Sequence, residues 1–76
     1  MPNINNIPWK LFEKFLIQMG CTFGREKGDH RIWHKNGLRR SLVVPRKSPL
    51  FVAVIKNNLK LLNVHEKEFL EIIKKL

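Results

Sequence analysis

Three histidines, one cysteine and six carboxylates are the side chains of this 76-residue chain best suited to acid–base or metal chemistry near neutral pH. The histidines are His30, His34 and His65, and the cysteine is Cys21. A structural zinc takes about four Cys/His ligands at close spacing, and a single cysteine does not supply that pattern. A two-metal centre needs clustered acids, whereas Glu26 and Asp29 flank one turn and the other four fall in helical segments. No Gly-rich phosphate loop occurs either, so neither a metal nor a cofactor is expected. What remains is His30, placed directly after Gly28-Asp29. Imidazole titrates near neutrality, so one such side chain can take a proton from an attacking hydroxyl or give one to a leaving oxygen.

The surroundings of His30 are basic. The chain carries 15 Lys+Arg against 6 Asp+Glu, a formal charge of +9. Between Arg25 and Lys47 stand eight basic residues and only two acids, Glu26 and Asp29, so under a third of the chain holds two thirds of its charge. Lysines and arginines that guard sheet edges would explain a few of these. Eight in one stretch point to phosphate, and nucleic acid is the usual partner of a small basic domain. The apolar residues are spread over several elements and form no long run, so neither a membrane span nor a membrane-coating helix is expected. Cys21 has no partner for a disulfide, and Met1 to Asn6 is polar, which together suggest a cytoplasmic protein.

The elements that must position His30 follow from periodicity. After Pro8, residues Trp9, Leu11, Phe12, Phe15, Leu16 and Met19 share one arc at about 100° per residue, with Lys10, Glu13, Lys14 and Gln18 opposite. This predicts a helix over Pro8–Met19, closed by Gly20. Cys21–Glu26 reads as a strand, Lys27-Gly28-Asp29 as a turn and His30–Lys35 as a second strand. Asn36-Gly37 suits a type I′ hairpin into a third strand over Arg39–Val44, which Pro45 ends. Ile32 and Trp33 point to opposite sides, and alternation leaves open which is the core residue. Leu50–Leu62 has β-branched residues that suit a strand, but Ile55, Leu59 and Leu62 keep helical spacing, and a helix ending at Asn63 is expected. Glu66–Leu76 gives a third helix with Phe69, Leu70, Ile72, Ile73 and Leu76 on one face, and His65 at its cap or on the surface. The expectation is one α+β domain over 1–76. Its order is α-β-β-β-α with an antiparallel sheet and an extra C-terminal helix, the layout of the double-stranded-RNA-binding domain.

Lys27-Gly28-Asp29-His30-Arg31-Ile32-Trp33 resembles the Gly-Ser/Asp-His signature of HicA-type toxins, small mRNA interferases of bacterial toxin–antitoxin pairs. The similarity includes the first helix ending at Gly20, Val44-Pro45, the Ile55–Val64 segment and Glu66-Lys67-Glu68-Phe69-Leu70, and so runs from about Ile7 to Ile72. The resemblance implies a double-stranded-RNA-binding-like fold, metal-independent mRNA cleavage with His30 as the catalytic residue, and a HicB-type antitoxin as partner. Lys27, Arg46 and Lys47 would offset charge on the phosphorane, Gly28 would allow close backbone approach, and Arg31 and His34 complete the expected RNA-binding set.

Two positions depart from the family pattern. Lys47 stands where a histidine often follows Val-Pro, and Ala53-Val54 where a Gly-Thr often opens the second helix. Lysine keeps a charge for phosphate but is a poor acid or base, and the lost hydroxyl removes a helix-capping oxygen. The competing reading is a non-catalytic double-stranded-RNA-binding module on the same surface, with His30 merely bonded to its own turn. A transcription factor is disfavoured, because Glu66–Leu76 carries no base-reading Arg/Asn/Gln cluster. With no heptad seam, the free protein is expected to be a monomer.

Overall fold

The computed structural model describes residues 4–76, and Met1, Pro2 and Asn3 of the polar start and of the expected 1–76 domain lie outside them. A 3-10 turn at Ile4–Asn6 leads into α1 (Trp9–Gln18), then β1 (Thr22–Lys27), β2 (His30–His34), β3 (Leu42–Pro45), α2 (Val52–Leu62) and α3 (Glu66–Ile73). The strands form one antiparallel sheet in the order β1-β2-β3, which is the double-stranded-RNA-binding-like layout.

Two helix ends close by the same device. Gly20 has φ +83°, with the Cys21 N–H bonded to the Leu16 carbonyl at 2.9 Å, and Asn63 has φ +59°, with the Val64 N–H bonded to the Leu59 carbonyl at 2.9 Å. A left-handed residue followed by a bond back across six residues satisfies carbonyls that a helix end leaves orphaned. Helical spacing wins over β-branching in Val52–Leu62 because it buries Ile55, Leu59 and Leu62 together.

Phe12, Phe15 and Phe69 are fully buried, with ring centroids 4.7 to 5.7 Å apart and the Phe15–Phe69 pair edge to face. Each buried ring contributes about 1.5–3 kcal/mol, so α3 is part of the core rather than an appendage to it. Trp33, Leu42 and Val44 bring the sheet to that core, which resolves the choice between Ile32 and Trp33 in favour of Trp33.

The hairpins differ from expectation. The tight two-residue connection is Gly28-Asp29, between the paired residues Lys27 and His30, with Gly28 at φ +62°. Positive φ at the first central position alone is the type II′ arrangement. Asn36-Gly37 instead makes a turn with Gly37 at φ +91° and a Leu38 N–H to Lys35 carbonyl bond of 3.1 Å, set within a longer loop. A two-residue hairpin there would have placed Arg40 opposite Trp33. The observed register places Leu42 there, so Arg39 and Arg40 stay out of the strand and β3 starts at Leu42.

Candidate functional site

His30 opens the central strand, directly across from Lys27 on β1 and Pro45 on β3. Its side chain is 53% exposed, and Nδ1 lies 3.1 Å from Asp29 Oδ1. A carboxylate only accepts, so the ring nitrogen facing it carries the proton, and in the neutral ring Nε2 is then the atom that accepts. The bond to its own turn thus exists, but it orients an exposed ring and does not bury it. The turn is held from the far side too, by the Arg46 N–H donating to the Asp29 carbonyl at 2.8 Å.

A bulge in β1 decides which cations share the face of His30. The register slips between Phe23 and Arg25, leaving Gly24 without a partner, so Lys27 and Arg25 stand with His30 and Ile32 while Glu26 and Phe23 stand with Arg31 and Trp33. Glycine fits this position because a Cβ on Gly24 would come within 2.5 Å of the His34 ring. His34 is on the open face as expected, its Nδ1 3.3 Å from Ser41 Oγ, but four residues of strand place it roughly 13 Å from His30. The two imidazoles therefore cannot serve one phosphate together.

The other face of the sheet consumes charge. Glu13, expected on the polar side of α1, is buried and accepts from Trp33 Nε1 at 2.7 Å and from Arg31 Nε. Arg31 also donates to Glu26 at 3.1 Å, and Arg46 reaches the same carboxylate at 3.5 Å. The hydrogen bond to Glu13 is the main reason the Arg31 guanidinium is held above its ordinary pKa. Arg31 guanidinium also lies 4.2 Å from the Phe23 ring centroid, and that ring meets Trp33 edge to face. Of the residues expected to hold RNA, the structure gathers Lys27, Gly28 and His30 at one turn and places Arg31 and Arg46 on the α1 side.

Lys47 follows β3, with Nζ 3.9 Å from the ring centroid of Phe51, an exposed residue at the start of α2. That helix has Phe51 as its N-cap residue and no side-chain cap, and Ala53-Val54 lie within its first turn rather than at the capping position expected for them. A groove of about 340 Å³ lies between β3 and α2, walled by His30, Arg40, Val43, Pro45, Val54 and Leu61 among others. Arg40 enters the site through this groove. Its place in the basic stretch gave no sign of this, because the loop register was unknown. A larger hollow of about 430 Å³ lies between α1 and α3, beside Gln18, Glu68 and Glu71, and contains none of the basic cluster. Among the described residues no three of His, Cys, Asp and Glu converge, and no helix is long and apolar enough to cross a membrane.

The family model for the HicA toxin of bacterial toxin–antitoxin systems matches residues 9–64. The chain belongs to the HicA toxin family. No curated protein and no solved structure matches it. The HicA match starts with α1, takes in the whole sheet with the His30 turn, and stops after α2, so the resemblance read as far as Ile72 is covered only to Val64 and α3 lies beyond it. As a HicA toxin the protein is one half of a toxin–antitoxin system. Membership implies an antitoxin partner, an RNA substrate and a nuclease-type role.

Proposed function

We propose that this HicA toxin cleaves mRNA by metal-independent transesterification, with His30 as the catalytic residue, and that its antitoxin is of the HicB type. The observation that carries the reading is the placement of His30: an exposed imidazole, oriented by Asp29 and facing Lys27 across a tight turn. In the proposed reaction Nε2 takes the proton of a ribose 2′-hydroxyl, the 2′-oxygen bonds to the adjacent phosphorus, and the bond to the 5′-oxygen breaks. The proton then passes to that leaving oxygen from the imidazolium or from water. The Lys27 ammonium offsets the charge that builds on the phosphorane, and Gly28 lets the backbone approach it. Lys47 and His34 supply further contacts to the RNA strand outside the reacting phosphate, while Arg31 and Arg46, both on Glu26, hold the sheet that carries His30. An antitoxin that covers this face would remove both the attraction for RNA and access to His30.

The test is cleavage of a defined RNA with a chelator present. The expected products carry a 2′,3′-cyclic phosphate and a 5′-hydroxyl, and expression of the protein is expected to arrest growth of a bacterial host. Undiminished cutting by His30→Ala overturns the assignment. Tight RNA binding without any cutting by the unaltered protein favours the non-catalytic module.

A further inference from the structure

The groove between β3 and α2 has a composition that phosphate binding alone does not require. Val43 and Pro45 line it from the strand and Val54 and Leu61 from the helix, while His30 and Arg40 add polar groups to the same walls. Arg40 has no carboxylate partner among the described residues. We propose that this groove holds an unpaired nucleobase, that of a nucleotide adjoining the bond His30 breaks, so that the substrate is single-stranded at the cut. This rests on His30 being the cleaving residue.

The chemistry of the walls selects the occupant. A base offers two flat apolar faces, which suit the Val43/Pro45 and Val54/Leu61 sides, and a polar edge that needs partners when it leaves water. Asn57 and Asn58 of α2 supply them. Asn58 is buried and spends its amide on the Val43 carbonyl at 3.0 Å, which fixes its orientation and leaves an oxygen that can only accept. Asn57 is exposed and has both amide groups available. The volume is at the small end of ligand sites, suited to one base. Arg40 lies where the phosphate of the same strand can pair with it. A duplex keeps its bases stacked and would leave this groove empty, since duplex RNA is read through phosphates and 2′-hydroxyls.

The experiment uses the full chain and an oligoribonucleotide made uncleavable by 2′-deoxy substitution, offered single-stranded and as a duplex. The single strand is expected to bind about tenfold tighter than the duplex. Val54→Phe, which fills the groove, is expected to remove that preference and leave duplex binding unchanged. Asn57→Ala, on an exposed position that folding does not need, is expected to change which base adjoins the cut in a randomised RNA. Equal affinity for duplex and single strand overturns the proposal, and so does an unchanged base profile in both variants. Loss of antitoxin binding with RNA binding intact assigns the groove to protein and overturns it too. Because the uncleavable strand needs no chemistry to bind, failure to cut with the binding pattern intact counts against the catalytic role of His30 alone.

Discussion

The two faces of the sheet hold comparable numbers of cations in opposite states. Toward α1, Arg31 bonds both Glu13 and Glu26, Arg46 reaches Glu26, and the Trp33 indole donates to Glu13. On the side of His30, Arg25, Lys27 and Arg40 meet no carboxylate among the described residues, and the one acid present, Asp29, faces the imidazole. A guanidinium already held by carboxylates has little to gain from a phosphate, whereas an unpaired cation exchanges only loosely held counterions for one. The basic stretch therefore divides into cations that stabilise the domain and cations that are available to RNA.

The sharpest way to break this division is at its two anchors. His30→Ala is expected to lower the RNA cleavage rate by about 10²–10⁴-fold. Its thermal midpoint should stay that of the unaltered protein, and a joint loss of folding would show that the open face is structural after all. Glu13→Ala is expected to do the reverse. It leaves the Trp33 N–H and the Arg31 guanidinium without their buried acceptor and should cost about 2–3 kcal/mol. In a domain of this size that is a fall in Tm of roughly 10–20 °C, read by calorimetry or by Trp fluorescence.

A finer comparison sets one cation from each face side by side. Lys27→Ala is expected to weaken RNA binding evenly over sequences and to reduce the salt slope of binding by about one. Arg31→Lys is expected to leave that slope alone and to cost about 1 kcal/mol of stability, because lysine cannot reproduce the forked bonds to Glu13 and Glu26. The smallest effect belongs to Cys21, whose thiol burial pushes above its ordinary 9.0, with Lys35 pulling it partly back. The folded state keeps the proton longer than the unfolded one, so this contribution is complete below pH 9.0 and is lost as the pH rises through the raised folded value. The stability difference between the unaltered protein and Cys21→Ala should narrow above that pH in denaturant titrations.

Much of the fold was legible because its signals are local. Gly20 and Asn63 were readable as left-handed closures, the Gly28-Asp29 turn as a reversal and the aromatic arc of α1 as a core face. What sequence periodicity missed depends on neighbours that sequence does not display. Glu13 sits about 40° beyond Trp9 on the helical wheel, at the margin of the apolar arc, and only the presence of Trp33 and Arg31 beneath it makes that margin an interior position. The dipeptide Asn36-Gly37 has the composition of a tight hairpin, yet pairing Trp33 with Leu42 buries more and overrides the turn preference. At the site, His30, Lys27 and Gly28 are adjacent along the chain and were found together. Arg40 and Asn57 reach the groove from a loop and a helix whose placement depends on the packed sheet.

The unpaired Gly24 has a consequence for how β1 tolerates change. On either side of the bulge the strand is in opposite phase, so Phe23 faces α1 while Arg25 and Lys27 face outward. Removing Gly24 would bring Phe23 directly before Arg25, and because successive side chains alternate, Phe23 would still face Trp33 and Arg25 would still face outward. Regular pairing with every residue kept would instead set Gly24 across from Trp33 and Phe23 across from His34, sending Phe23 to the outward face beside the histidines. For β1, then, a one-residue deletion at the bulge leaves its chemistry on the faces it now occupies, and what holds Phe23 inward is its pairing with Trp33 rather than the length of the strand.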